Sequence, residues 1–269
     1  MADTCAALHY DKHADTSTAS RSELQKFHNK AKRALLDAFA KNATSLLDLA
    51  CGRGGDVHKW RAIGIRKVVG LDVSEGSVCE ARRRWNASGP SLQTVTFQTA
   101  DLRSPLALHR EFDVVTCMFA LHYFFESEAV AHVFLENVSR HLKPGGRFIG
   151  LVPDGLAINE CIKYGPFDNG IMQVTALWDG KPQCFGSPYL CCIEGTVTAD
   201  SQVREYLVYA SVLQSLAGKY DLHPVSVHGN VFEKGSVFHR LKPPYPEPSA
   251  TCTRIFAAFA FEKKIPAVQ

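Results

Sequence analysis

The chain has 269 residues, of which 46% are hydrophobic, and its 30 basic and 27 acidic side chains leave a formal net charge of +3. This length can bury one large core, so we expect one α/β domain with an elaboration. No apolar run reaches the roughly 18 residues that cross a bilayer. The polar segment 1–22 lacks the apolar centre of a signal peptide, and the small charge argues against a nucleic-acid coat protein while permitting a polyphosphate-bearing substrate.

The apolar pattern predicts a first helix over 22–40, followed by alternating strands and helices. The helix would bury Leu24, Phe27, Ala31, Leu35 and Ala38 and present a basic side with Lys26, Lys30, Lys32 and Arg33. Strands are predicted over 45–50, 67–72, 93–98, 112–118 and 147–152, and helices over 55–63, 75–87 and 127–141. This alternation favours a doubly wound, mostly parallel, Rossmann-like sheet. Its ligand site should lie at the carboxyl ends of the strands.

Glycines and prolines punctuate the chain after Asp154 and predict an antiparallel region inserted after the fifth strand, over 166–200. A helix over 203–218, a strand over 220–227, a proline-rich loop over 235–248 and an apolar strand over 254–262 should follow. We expect a single domain over 1–269. Residues 1–44 would contribute to the sites, and the insertion would cover the substrate cleft.

Nine cysteines are scattered through the chain, mostly inside apolar runs and without a CxxC pair. We interpret them as reduced core thiols of an intracellular, non-secreted protein. No metal site is expected.

The glycine-rich turn after the first predicted strand carries the strongest chemical signal. The run from Leu46 to Asp56 passes from an apolar strand into Cys51-Gly52-Arg53-Gly54-Gly55, and Asp48 and Asp56 are its acids. Small residues let the backbone approach a ligand, and acids suit a cationic one. A phosphate-binding loop would instead use backbone amides and a lysine. A cofactor with an ammonium and a sulfonium, S-adenosylmethionine, fits best.

Two further acids follow the next strands. Asp72 stands 20 residues after Gly52 and can bind ribose hydroxyls, and Asp101 can accept from an adenine amino group. One such acid alone is a surface residue about half the time, but three at successive strand ends indicate a nucleoside cofactor. A nicotinamide cofactor is the competitor, and the absence of GxGxxG favours methyl transfer over hydride transfer.

Several motifs resemble the mRNA cap (guanine-N7) methyltransferases over most of the chain, from His9-Tyr10 to 259–263. Besides the glycine turn with His58-Lys59-Trp60, they comprise Phe119–Ser127, Leu142–Gly150, Pro153-Asp154, Phe185-Gly186 and Glu205–Tyr209. The lysine-proline-glycine-glycine turn is common to many methyltransferases, whereas Phe119–Ser127 and Glu205–Tyr209 are more particular to the cap enzymes.

The resemblance implies a seven-stranded methyltransferase sheet, methylation of N7 of the 5′ guanosine cap of mRNA, and two sets of contacts. The implied cofactor set is Lys32, Asp48, Ala50, Gly52, Asp56, Asp72, Asp101, Met118 and Tyr123. The implied cap set is His28, Asn29, Arg53, Phe119, His122, Tyr123, Pro153, Tyr189, Glu205 and Phe256. The implied partners are 5′-capped RNA and other capping enzymes, with no membrane. The implied compartment is the nucleus, with the cytoplasm as the alternative.

The chemistry of these residue types fits guanine. Glu205 can accept from N1–H and the exocyclic amine, His122 can donate to the carbonyl oxygen, and Phe119 or Tyr123 offers a stacking face. Arg53 and Lys59 supply charge for phosphates. Guanine N7 has a free lone pair and no proton to lose, so positioning can drive the reaction, and no residue is expected to act as acid or base.

Each of these residues has an ordinary structural alternative. His122 could be packed, Glu205 could be a first-turn helix acid, and Phe119 and Phe256 could be core aromatics. The lysines of the first helix could form only a solvated face. Their joint occurrence in order favours the functional interpretation.

The chain departs from the family pattern mainly on the cap side. His28 replaces an asparagine, Lys30-Ala31 replaces a tryptophan and its neighbour, Met118 replaces a glutamine, Pro188 replaces a lysine and Phe256 replaces a tyrosine. The changes at His28 and Phe256 leave open a methyltransferase of this fold that acts on another nucleotide or small molecule. A further alternative is a non-enzymatic binding module or regulatory subunit, and the intact Lys32, Asp72, Asp101 and Glu205 argue against it.

Overall fold

The computed structural model describes residues 23–194 and 203–265. The motif His9-Tyr10 and positions 195–200 of the predicted insertion lie outside the described residues. Up to residue 153 the elements are α1 (Glu23–Phe39), β1 (Ser45–Leu49), α2 (Val57–Ala62), β2 (Lys67–Asp72), α3 (Glu75–Ala87), β3 (Thr94–Thr99), β4 (Phe112–Met118), a 3-10 helix (Leu121–Phe125), α4 (Glu128–Arg140) and β5 (Leu142–Pro153).

Most of the remaining elements are short, as the density of glycine and proline predicts. They are α5 (Gly155–Cys161), β6 (Phe167–Asp168), β7 (Met172–Ala176), β8 (Pro188–Ile193), β9 (Val203–Tyr206), α6 (Ala210–Gly218), β10 (Leu222–Pro224), β11 (His239–Arg240), α7 (Ser249–Arg254) and β12 (Phe256–Lys263). No helix among the described residues combines the length and apolar character needed to cross a membrane.

The main sheet has the strand order β10-β12-β5-β4-β1-β2-β3, and β11 pairs with β12. Strands β1 to β5 are parallel, whereas β12 runs antiparallel to both β5 and β10. The prediction of a doubly wound, mostly parallel sheet is therefore confirmed. The seven predicted strands form its continuous path, and the two-residue β11 is an eighth. The strand order reverses between β1 and β4, which places the ligand crevice beyond their carboxyl ends.

Two hydrophobic layers cover the sheet because successive β1 side chains point to opposite faces. Leu46 packs with residues of α1, α2 and α3, and Leu47 packs with residues of α4 and α6. Helix α1 therefore belongs to the core: Leu24, Phe27, Ala31, Leu35 and Leu36 are its buried residues. The prediction that Ala38 is buried was wrong. In the last turn the larger Leu36 occupies the core, and Ala38 is exposed.

A second, antiparallel sheet has the order β6-β7-β8-β9 and confirms the predicted insertion after β5. It also corrects one element. Residues 203–206 form β9 rather than the start of a helix, because they complete the edge of β8 with Glu205 opposite Tyr189. Helix α6 begins only at Ala210. Glu205 is therefore a strand residue, and the first-turn alternative is excluded.

The centre of the main sheet leaves no room for a side chain at Gly150. A Cβ there would lie 2.1 Å from the Cys117 carbonyl oxygen and 2.5 Å from Cζ of Phe259. We expect Gly150→Ala to lower the free energy of unfolding by about 3 kcal/mol, the upper part of the usual overpacking range. Urea denaturation measures this. Gly218→Ala is the control, since a Cβ there meets no atom within 4 Å and alanine favours a helix. Equal stability of the two variants would contradict the packing argument.

Candidate functional site

The glycine turn after β1 is a left-handed loop tied to the end of β2. Ala50, Gly52 and Gly54 have φ values of 59°, 51° and 67°, a conformation that costs an alanine about 1–2 kcal/mol. The Gly52 amide donates to Asp72 Oδ2 at 2.7 Å, and Asp72 Oδ1 accepts from the Ser74 amide at 3.0 Å. A Cβ at Gly52 would meet no atom within 4 Å, so the loop backbone borders open space at the carboxyl end of the sheet.

A buried ion network joins α1 to this loop. Asp56 lies 2.8 Å from Lys32 Nζ and 2.7 Å from Lys59 Nζ. Lys59 also donates to Asn29 Oδ1 at 2.7 Å and to the Gly55 carbonyl at 3.1 Å. Burial opposes ionisation of Asp56, but the two ammonium groups outweigh it and hold the pKa of this carboxyl below its usual range. Lys59, expected to contact phosphates, instead bonds to protein oxygens and so positions Asn29.

Asp48 lies at the floor of the site rather than on its surface. It is 2% exposed and accepts from Thr116 Oγ1 at 2.5 Å. Burial and the nearby charge of Asp56 raise the pKa of Asp48, whereas the Thr116 hydroxyl and Lys32 oppose the shift. Sequence reasoning missed Thr116, which faces Asp48 across the β1–β4 register. Only the strand pairing identifies it.

Asp101 is next to Asp72, because the Ala100 amide donates to the Asp72 carbonyl at 2.8 Å. Its Oδ1 accepts from the Arg103 amide and Nε, each at 3.0 Å, and its Oδ2 accepts from Arg103 Nη2 at 3.1 Å. Burial opposes ionisation of Asp101, but the hydrogen bonds from Arg103 favour it and together outweigh the burial. The pKa of Asp101 is therefore lowered. A carboxylate has about four acceptor positions, so one remains for a ligand amine. Arg103 was not predicted, although its place two residues after Asp101 is typical of an Asx turn.

Three rings from distant parts of the chain meet beside the ion network. Phe119, in a left-handed conformation with φ 63°, packs on His28 at 4.9 Å and on Phe256 at 5.1 Å between ring centroids. His28 and Phe256 are 5.0 Å apart. Lys32 Nζ lies 5.6 Å from the Phe119 centroid, so it contacts both Asp56 and the Phe119 ring. We name His28, Phe119 and Phe256 the aromatic cluster.

His28 is a neutral member of this cluster. Burial and the neighbouring Lys32 ammonium lower the pKa of His28 to about 3. Its Nε2 is buried and makes no hydrogen bond within the described parts of the chain. A neutral ring with an unsatisfied nitrogen is suited to meet a ligand atom.

The second sheet contributes a buried polar wall. Tyr189 donates its hydroxyl proton to Glu205 Oε2 at 2.8 Å, and His122 Nε2 lies 3.6 Å from Glu205 Oε1. Burial raises the pKa of Glu205 to about 7, against the effect of the Tyr189 bond, and burial lowers the pKa of His122 to about 3. Neither ring nitrogen of His122 has a hydrogen-bond partner among residues 23–194 and 203–265. Such an incomplete buried set matches a polar ligand.

The other predicted residues lie around the same crevice. Met118 ends β4, Pro153 ends β5 opposite Phe256, and the Tyr123 ring packs on His122 at 4.2 Å between centroids. Arg53 lies 3.9 Å from Glu80 of α3, a contact that the sequence did not predict. The structure thus brings both predicted sets to one edge of the sheet.

Comparison with known proteins gives a consistent result. Residues 2–234 match the sequence profile described as the mRNA (guanine-N(7))-methyltransferase domain. The chain is 32% identical to the mRNA cap guanine-N(7) methyltransferase of Caenorhabditis elegans, over 85% of this chain and 67% of the relative. It is also 32% identical to mRNA cap guanine-N(7) methyltransferase 1 of Arabidopsis thaliana, over 82% of this chain and 66% of the relative. The identity to the mRNA cap guanine-N(7) methyltransferase of Saccharomyces cerevisiae is likewise 32%, over 76% of this chain and 51% of the relative. The chain therefore spans about half to two thirds of the length of these relatives.

Solved structures with low sequence identity share the fold. A methyltransferase of Streptomyces caelestis superposes with a TM-score of 0.61 at 14% identity, and the match covers 96% of this chain and 98% of the Streptomyces chain. An S-adenosylmethionine-dependent methyltransferase of Clostridium acetobutylicum gives a TM-score of 0.57 at 16% identity, with the same coverage of 96% and 98%. At this identity the likeness concerns the fold alone.

The raised pKa of Glu205 predicts a pH-dependent stability. A carboxyl with a folded-state pKa near 7 and an unfolded value near 4.5 stabilises the folded protein below pH 4.5. This contribution is lost as the pH rises towards 7. Between pH 5 and pH 8 the wild type should lose on the order of 3 kcal/mol of its free energy of unfolding through this group. The variant Glu205→Gln should not show this loss, as measured by denaturation of the ligand-free protein. Glu194→Gln, at an exposed position after β8, is the matched control and should behave like wild type. A wild-type minus Glu205→Gln difference that is constant with pH would contradict the buried carboxyl.

Proposed function

The chain belongs to the mRNA (guanine-N(7))-methyltransferase family, and we propose that it transfers a methyl group from S-adenosylmethionine to N7 of the 5′ guanosine cap of RNA. One observation carries the proposal: Lys32 contacts both Asp56 of the glycine turn and Phe119 of the aromatic cluster. The residues suited to the cofactor and those suited to guanine therefore meet at a single side chain, as transfer between two ligands requires.

The cofactor side fits S-adenosylmethionine in charge and shape. Asp56 and Lys32 present a carboxylate and an ammonium side by side, the complement of the methionine end. Asp72 places a carboxylate for ribose hydroxyls beside the glycine turn, and Asp101 retains one acceptor position for the adenine amine. The open space at Gly52, the strained Ala50 and the end of β4 at Met118 complete the cradle. When bound, the cofactor supplies an electrophilic methyl group on sulfonium sulfur.

The residues of the polar wall and the aromatic cluster fit guanine in charge and shape. An ionised Glu205 accepts two hydrogen bonds from N1–H and the exocyclic amine. The tautomer of neutral His122 that carries the proton on its ligand-facing nitrogen can donate to the carbonyl oxygen. Phe119, Phe256 and Tyr123 supply stacking faces, and Pro153 and Tyr189 support this wall. Arg53 provides charge for the triphosphate, and Asn29 lines its path, held there by Lys59.

These residues catalyse by placement and by electrostatics. Guanine N7 attacks through its own lone pair, so no group needs to remove a proton. The cluster and the wall instead fix the base relative to the methyl group, and such orientation supplies roughly 7–11 kcal/mol of a barrier. The product guanine is cationic, and the ring faces together with the Glu205 carboxylate stabilise this charge as it forms.

Methylation of the dinucleotide GpppG is the direct test, with detection of N7-methylguanosine. The relatives do not favour the alternative of another nucleotide or small-molecule substrate, and a chain that methylates only such compounds would establish it. Absence of S-adenosylmethionine binding in calorimetry would reject the methyltransferase proposal and return the binding-module alternative. We further propose a nuclear location and cooperation with the other capping enzymes.

Substitution of the two carboxylates should separate the two ligands. We expect Glu205→Ala to lower kcat/KM for GpppG by about 100-fold or more while the Kd for S-adenosylmethionine stays within about twofold, since the lost bonds recognise only guanine. Asp72→Ala should raise the Kd of the cofactor by about 10- to 100-fold. Calorimetry and initial rates measure both effects, with Asp179→Ala, at an exposed position, as control. Near-normal turnover by Glu205→Ala would overturn the pocket assignment.

The pKa of Glu205 also predicts the pH dependence of cap recognition. Only the ionised carboxylate accepts both guanine protons, so kcat/KM for GpppG should rise with pH to a plateau, with an apparent pKa of about 7. Tyr189→Phe should move this pKa upwards, because the Tyr189 hydroxyl stabilises the ionised form. Rates from pH 5.5 to 8.5 at saturating cofactor measure the profile. A profile that falls across this range would exclude the acceptor role.

A further inference from the structure

Helix α1 carries a row of three exposed cations that the site does not use. Lys26, Lys30 and Arg33 are exposed, whereas Phe27 and Ala31 between them are buried. Their spacings of four and three residues place them on one face, over about 10 Å of helix. We name these three residues the basic stripe.

Within the described residues the basic stripe has no acidic partner, whereas several cations on other helices have one. Arg83 and Arg84 pair with Glu80, and Arg140 pairs with Glu136, each within one turn of its own helix. Over residues 23–194 and 203–265 no ion pair involves the basic stripe. Successive charges of the stripe lie one turn apart and repel one another, and no ion pair within the described ranges offsets this repulsion.

The position of the basic stripe relative to the cleft identifies its use. With about 100° per residue, Lys32, Asn29, Arg33 and Lys26 follow one another around α1 in steps of about 60°, 40° and 20°. Lys32 and Asn29 belong to the ion network at the cleft. The exposed cations therefore continue the positive edge of the cleft, starting from Asn29 on the proposed triphosphate path. Glu23 and Asp37 lie in the first and last turns of the helix and bound the stripe.

We infer that the basic stripe binds the phosphates of the RNA chain downstream of the cap. This inference rests on the proposed function, because a capped transcript is a polyanion that must leave the cleft through its triphosphate end. Neutralised phosphates release counterions, and this supplies binding that is independent of sequence and sensitive to salt. The basic stripe therefore makes the enzyme prefer capped RNA to the bare cap dinucleotide.

The triple variant Lys26→Gln, Lys30→Gln, Arg33→Gln tests this inference, since glutamine keeps the helix propensity and removes the charge. The kcat/KM values for GpppG and for a 20-nucleotide RNA with the same cap are measured at 50 and 200 mM salt. For three phosphate contacts on single-stranded RNA, the logarithm of the binding constant falls against the logarithm of the salt concentration with a slope of about −2. The wild-type preference for the RNA should therefore fall roughly tenfold to twentyfold between 50 and 200 mM salt. The variant should lose this preference at 50 mM and retain its kcat/KM for GpppG.

The matched control is Arg66→Gln, Lys67→Gln, Lys219→Gln, which removes three exposed cations near the amino ends of β2 and β10, at the opposite edge of the sheet. It should behave like wild type on both substrates.

Wild-type activity on GpppG with no salt-dependent preference for RNA, or an unchanged preference in the stripe variant, would overturn the inference and leave the proposed function standing. Equal losses in both triple variants would show a non-specific charge effect and would also overturn it. If the triple variant fails to fold, the three single variants carry the test, each with an expected change in slope of about 0.7. Absence of GpppG methylation by wild type would instead reject the proposed function.

Discussion

The ion network of Lys32, Asp56 and Lys59 is the constraint on which the site depends. Removing these charges from water is costly, and the cost is recovered only if every partner is in place. Asp56 has two ammonium groups within 2.8 Å, and Lys59 bonds to Asn29 and to the Gly55 carbonyl. The network therefore fixes the rotation of α1 against the glycine turn. That rotation brings His28 onto Phe119 and sets the basic stripe at the margin of the cleft.

Rigid strand ends hold the remaining groups against this network. Phe119 lies directly after β4 in a left-handed conformation, which a bulky residue adopts only when its surroundings enforce it. Neighbours on α1 and β12 supply that enforcement, because His28 and Phe256 pack on the same ring. Glu205 and Tyr189 approach from the second sheet, where β9 and β8 place them side by side. The crevice thus receives its polar wall from one sheet and its loop from the other.

Electrostatics divides the buried acids of the cleft into distinct states. Two lysines keep Asp56 ionised, whereas burial raises the pKa of Asp48 and of Glu205. The difference follows from the partners: Asp48 and Glu205 each accept from a neutral hydroxyl, which compensates a buried charge less than an ammonium does. His28 is neutral because it is buried and because a second positive charge beside Lys32 would have no carboxylate among the described residues to compensate it.

The sequence by itself determined the parallel sheet, the glycine turn and the acids at three strand ends, because these depend on local periodicity and on residues that follow strands directly. It also indicated Glu205 and Tyr189 through motif resemblance, but it placed Glu205 on a helix. Only the tertiary structure decided that residues 203–206 are a strand, since the edge of β8 is a partner that no local pattern reveals. The same holds for Thr116 opposite Asp48, for Lys59 holding Asn29 rather than standing free, and for the meeting of His28, Phe119 and Phe256. These contacts join residues far apart in the chain, and their geometry follows from strand order and helix rotation, which are set by packing of the whole core.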